Sequence, residues 1–158
     1  MEHGSLISFG RMMQRILLTA VCVTVLGLAV QAQARQYRAR LSPVPLDVAM
    51  QATIAGSGSV TGTLAGSTLT LSGTYKDLKT AATVVRLHRG PRIAMRGPAI
   101  VDLKASGGTT GTIAGTIELT KEQLDDLSNG RLYVQLHSEK APDGNLWGWL
   151  FAQEGKKQ

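Results

Sequence analysis

Two histidines, His88 and His137, are the only imidazoles beyond residue 34. Histidine is the commonest metal-ligating side chain. If the two sit near the ends of neighbouring strands, they can converge on copper or zinc. A closed zinc site takes about four ligands and a catalytic one about three. Two histidines fall short of either, so Glu139, on the same strand face as His137 by alternation, or Tyr133 would have to contribute. Structural histidines are the expectation, and a metal site using His88, His137 and Glu139 is the alternative.

A second group is cationic. Between Asp77 and Asp102 stand Lys79, Arg86, Arg89, Arg92 and Arg96, with no acid among them. Guanidinium forks bind sulfate and phosphate in pairs, so Arg86, Arg89, Arg92 and Arg96 form a candidate anion site. The competing reading is a solvated loop that aids solubility. No aromatic residue is interleaved, which removes the stacking expected of a nucleic-acid surface. Trp147 and Trp149 share one strand face; core packing is the default for them, and exposure would instead mark a partner surface. No Ser/His/Asp set, paired-carboxylate site, phosphate loop or dinucleotide fingerprint occurs. The expectation is a protein without intrinsic enzymatic activity and without a cofactor, copper or zinc being the alternative.

The elements that must position these residues begin after an N-terminal leader. Arg11 and Arg15 precede a run of roughly 15 apolar residues, short of the about 20 that span a bilayer, and Gln31-Ala32-Gln33-Ala34 follows as a signal-peptidase site. Residues 1–34 read as a signal peptide, with Met12 and Met13 as alternative starts. The protein is expected to be exported, periplasmic or extracellular, with no transmembrane anchor after cleavage. Cys22 lies in the leader, so the remainder has no thiol and no disulfide. Taking Arg11, Arg15 and Glu2 from 17 basic and 11 acidic residues leaves 15 and 10, a net charge of +5. That moderate excess suits anionic partners.

Residues 36–41 alternate and then meet Pro43 and Pro45, which predicts a short edge strand. Residues 46–54 are ambiguous. Thr-, Val- and Leu-rich runs at 59–65 and 68–75 are joined by Gly66-Ser67, the sequence of a tight hairpin. Strands follow at 82–88, 98–105 and 109–119, the first two separated by the basic loop 92–97. Thr61-Gly62-Thr63-Leu64-Ala65-Gly66 is echoed by Thr110-Gly111-Thr112-Ile113-Ala114-Gly115. The echo suits either two related halves or convergence on Thr/Gly strands. Thr120-Lys121-Glu122-Gln123 is a capping box, and Asn129-Gly130 supplies the stop of a short crossover helix. Residues 132–150 form the hairpin around which the core is expected: Leu132, Val134 and Leu136 on one face, and a turn at Ala141-Pro142-Asp143-Gly144. The tail 153–158 is expected to be disordered. The pattern predicts an all-β sandwich or flattened barrel.

Taken in order, Gly62 to Tyr75, Leu87-His88-x-Gly90-Pro91, Gly97-Pro98, Leu119-Thr120-x-x-Gln123, Gly130-x-Leu132-Tyr133-Val134-x-x-His137-Ser138-Glu139 and Pro142-x-Gly144 resemble the CHRD domain, named after chordin. The resemblance spans about 37–150, making 35–152 the CHRD-like domain, and it is carried by order and spacing. It implies an immunoglobulin-like or superoxide-dismutase-like antiparallel β-sandwich outside the cytoplasm. It also implies a binding role like that of animal chordin toward secreted growth factors. The family usually shows His-x-His where this chain has Arg86-Leu87-His88, and an acidic, an apolar residue and Arg-Gly where Asn145, Leu146, Trp147 and Gly148 stand. A guanidinium cannot ligate and repels a cation, so Arg86 weakens the metal alternative. The reading is an exported binding module for an extracytoplasmic protein or a polyanionic surface, with no nucleic-acid partner.

Overall fold

The structure, a computed structural model, describes residues 34–44 and 47–154. The expected signal peptide, apart from Ala34, lies outside the described residues, as does the tail beyond residue 154. No helix among the described residues is long and apolar enough to cross a membrane.

Among the described residues, nine strands and one α-helix follow in the order β1 (Arg35–Pro43), β2 (Ser57–Ala65), β3 (Thr68–Lys76), β4 (Ala82–Arg89), β5 (Ala99–Ala105), β6 (Gly111–Glu118), α1 (Lys121–Ser128), β7 (Leu132–Ser138), β8 (Ala141–Trp149) and β9 (Phe151–Ala152). A single 3-10 turn, Met50–Ala52, occupies the ambiguous segment before β2. Alternation built these strands: in β3 and β6 the inward positions are buried side chains or half-buried glycines and the positions between them are exposed, apart from Thr68 at the start of β3. Gly66 closes the β2–β3 hairpin at φ +63°, a left-handed conformation that glycine adopts without a Cβ clash.

The hydrogen-bonded order β2-β3-β6-β5-β4-β7-β8-β1 returns to β2, so eight strands close on themselves. Two strands make the corners. β1 pairs with β2 over Arg35–Leu41 and with β8 at Ser42 and Pro43, while β5 pairs with β4 up to Leu103 and with β6 at Lys104 and Ala105. The expected sandwich is thereby corrected to a closed barrel, and the expected edge strand β1 to a corner strand with a neighbour on each side. Proline is tolerated at Pro43 because the strand ends there, and the next amide, Val44, donates to the Asn145 carbonyl.

The interior is filled by Tyr37, Leu41, Leu69, Leu71, Tyr75, Leu87, Ile113, Leu132, Val134, Leu136 and Leu146. An eight-stranded barrel has just enough room for its own side chains. Ligand chemistry is therefore pushed to the outer faces. The helix α1 begins with the expected capping box, Thr120 and Gln123 bonding reciprocally, and adds Leu127 to the core. Leu132, Val134 and Leu136 do face the core, but neither tryptophan does.

Candidate functional site

The outer face of β4, β7 and β8 gathers most of the residues singled out from the sequence. In β7 all seven residues are buried, although only Leu132, Val134 and Leu136 point inward. Tyr133, Gln135 and His137 are buried on the other face, because the loop 90–98 folds over it as a flap and residues 142–145 bulge alongside. The turn of the β7–β8 hairpin is Glu139-Lys140, with Ser138 opposite Ala141, not Ala141 to Gly144 as expected. The Pro-Asp-Gly run instead forms an extra-long segment of β8, a bulge opposite the single residue His137. Gly144 sits there at φ +128°, and a Cβ on it would run into the Gln135 side chain.

Backbone carbonyls fasten both imidazoles. His88 Nδ1 lies 3.0 Å from the Gly97 carbonyl oxygen and His137 Nδ1 lies 2.7 Å from that of Pro142. A carbonyl only accepts, so in each ring Nδ1 carries the proton and Nε2 presents a lone pair. Both Nε2 atoms are buried without a hydrogen-bond partner. The Gly97 amide donates to the Tyr133 hydroxyl at 3.1 Å, and that hydroxyl lies 3.3 Å from the Gly97 carbonyl. Gly97 approaches the Arg89 backbone so closely that any Cβ would collide with it. The flap is thus seated at one residue, Gly97, whose amide and carbonyl meet Tyr133 and His88.

Aromatic rings continue this face. His88 stacks on Tyr133 at 4.9 Å, Tyr133 stacks on Trp149 at 4.8 Å, and Trp147 meets Trp149 edge-on at 4.5 Å. Trp149 is buried and Trp147 half-buried. The pair is packed, as the default has it, but outside the barrel interior: Trp147 lies against the small cluster of Val44, Ile54 and Ala141.

The His88 and His137 ring centroids are 6.4 Å apart. Burial holds both below the ordinary histidine value; the carbonyl bonds raise them in part, and the positive fields of Arg86 and Arg96 lower them further. Glu139 lies in the exposed hairpin turn, and among the described residues no three His, Cys, Asp or Glu side chains are grouped to hold a metal.

The four arginines separate into two kinds. Arg86 pairs with Asp102 at 2.8 Å, and Arg89 pairs with Glu122 at 2.6 Å and with Asp126. Asp126 is fully buried and also meets Arg131 at 2.6 Å. The expectation that these cations lack acidic partners is therefore corrected for Arg86 and Arg89. Arg92 and Arg96 have no carboxylate partner among the described residues. Arg96 lies over the Trp147 ring, 5.7 Å from its centroid, and donates to the Asp143 carbonyl at 3.1 Å. Arg92 touches the Met95 sulfur. Around them Ile93, Met95 and Phe151 are exposed by 49%, 40% and 47%, and Ile93 and Phe151 meet over Gly130. Sequence reasoning named Tyr133 only as a possible further metal ligand, and missed Gly97, Gln135, Asn145 and Arg131 as parts of this assembly. Gly97 and Tyr133 carried a signal, since both belong to the motif run quoted above; Arg131 carried none.

A match to the CHRD domain covers residues 37–150. The chain belongs to the CHRD domain family. Domains of this family occur in extracellular or secreted proteins. No curated protein and no solved structure matches the chain significantly. The motif residues that carry the family resemblance, His88, Gly97, Tyr133, His137, Pro142 and Gly144, are those that seat the flap and the bulge.

Proposed function

We propose that the chain is an exported binding module without catalytic activity, and that its contact surface is the flap face. Arg92 and Arg96 carry the reading. They are the flap's carboxylate-free cations, Arg96 over Trp147 and Arg92 against Met95, with exposed Ile93, Met95 and Phe151 among the described residues. Apolar side chains among unpaired guanidiniums suit an anionic surface with an apolar layer beneath it, or the acidic face of a partner protein. Loops fixed on a rigid barrel are where such contacts are made. The leader over residues 1–34 and the family's occurrence in secreted proteins support a periplasmic or extracellular location.

The test is co-sedimentation with vesicles of anionic lipid and, separately, of neutral lipid, at two ionic strengths. The protein should bind the anionic vesicles at low salt and be released near 0.15 M, where charges are screened beyond about 8 Å. Arg92→Glu with Arg96→Glu should abolish this. Arg89 is unsuited to the test because it also holds Asp126. Equal sedimentation of the native and doubly substituted proteins would overturn the reading.

A second reading, copper or zinc held by His88 and His137, is favoured by one observation: two buried Nε2 lone pairs whose rings are oriented through Nδ1, as metal-ligating histidines are. Against it stand the guanidiniums of Arg86 and Arg96. Added copper or zinc would raise the thermal midpoint of the native protein but not that of His88→Ala/His137→Ala if this reading held.

A further inference from the structure

The outer face of β1, β2, β3 and β6, on the other sheet of the barrel, carries no feature used above. It forms an open groove of about 730 Å³. The register places Arg40, Ser59, Thr74 and Thr112 side by side in one row across four strands. Three interstrand steps of about 4.8 Å make that row roughly 14 Å long. The next row, two residues along each strand, begins at Arg38, passes Thr61 and Ser72, and ends beyond Ala114 at Lys104. Lys76 closes the groove at the end of β3.

Chemistry narrows the ligand. Arg38 and Arg40 have no carboxylate partner among the described residues, and Lys76 has only the exposed Asp77 at 3.6 Å. No Asp or Glu lines the groove. Its single aromatic residue, Tyr75, is buried, with its hydroxyl on the Gly107 carbonyl, so no ring face is offered for stacking. What remains is a field of hydroxyls that both donate and accept, bordered by guanidinium forks. Hydroxyls of that density match a ligand rich in hydroxyls, the forks match carboxylate or sulfate, and an open groove crossing four strands matches a chain. We infer that this groove binds an acidic polysaccharide. Of the Thr-Gly-Thr echo, Thr110 and Thr112 line the groove and Thr61 stands in the next row.

The experiment measures binding of the described domain within the full chain to three soluble polymers: a polyuronate, dextran sulfate and neutral dextran. Binding to one or both acidic polymers and not to neutral dextran is expected, and the preferred polymer identifies carboxylate or sulfate as the acid. Arg38→Gln with Arg40→Gln should weaken it by about tenfold or more, as loss of two charge-assisted contacts implies. Arg92→Glu/Arg96→Glu should leave it unchanged, which separates this groove from the flap face. Thr74→Val with Thr112→Val keeps the charges and removes two hydroxyls; it should weaken binding several-fold and decides the matter if the arginine variant does not fold. No binding to either acidic polymer, equal binding to neutral dextran, or indifference to both double variants would overturn the inference.

Discussion

At the scale of single residues, the site is organised by groups that water would otherwise claim. His88 and His137 are desolvated, bonded through Nδ1 and surrounded by Arg86, Arg96 and, for His137, Asp143. Their folded-state values lie below the ordinary value near 6.5, so the unfolded chain binds protons that the folded chain refuses. The stability this carries is complete above about pH 6.5 and is lost as pH falls below it. The thermal midpoint of the metal-free protein should fall between pH 7 and pH 5, before carboxylates titrate. His88→Gln with His137→Gln should flatten that fall; an unchanged slope would show that the rings do not cause it. Asp126 poses the opposite problem, a buried anion held by Arg89 and Arg131. Removing one partner leaves the buried carboxylate less compensated, so Arg89→Ala should lower the urea midpoint clearly more than Arg92→Ala does. The exposed Arg92→Ala should change unfolding stability by less than about 0.5 kcal/mol. The sequence hid this difference, because Glu122 and Asp126 arrive from α1 and lie far along the chain from Arg89.

Among the elements, the flap is held chiefly at Gly97, with Arg96 on the Asp143 carbonyl and the Gly90 amide on the Arg131 carbonyl as further ties. Gly97 has no room for a Cβ against Arg89, and its amide and carbonyl are the flap's anchor to Tyr133 and His88. Gly97→Ala should lift the flap, seen as faster tryptic cleavage at Arg92 or Arg96 and a changed environment for Trp147. Cleavage as slow as in the native protein would show another anchor. Elements with local signals were legible: the capping box and Gly130 stop of α1, and the Gly66-Ser67 hairpin, formed where the residue types demanded them. The β7–β8 turn was misplaced for a physical reason. Pro142, Asp143 and Gly144 have turn chemistry, but the Pro142 and Asp143 carbonyls are taken by His137 and Gln135, and the segment forms a bulge with the turn at Glu139-Lys140.

For the whole molecule, closure is what alternation alone did not reveal. Period-two burial is the same in a sandwich and in a barrel; the difference lies in β1 and β5, each of which changes partners along its length. Closure fills the interior with side chains and leaves both proposed contact faces outside. Leu87→Ala, in the barrel interior, should cost about 2–5 kcal/mol in denaturant unfolding, whereas Thr61→Ala on the outer face should cost less than about 0.5 kcal/mol. Comparable losses would contradict the division between packed interior and functional exterior. The proposed reading gives the histidines a structural part: His88 fastens the flap at Gly97 and His137 fastens the bulge at Pro142, and the reading asks for no metal on either. The metal-to-protein ratio of the purified protein, measured by elemental analysis, bears on this most directly. Substoichiometric copper and zinc, unchanged in His88→Ala/His137→Ala, is the predicted result. One copper or zinc per chain that disappears in that double variant would contradict it.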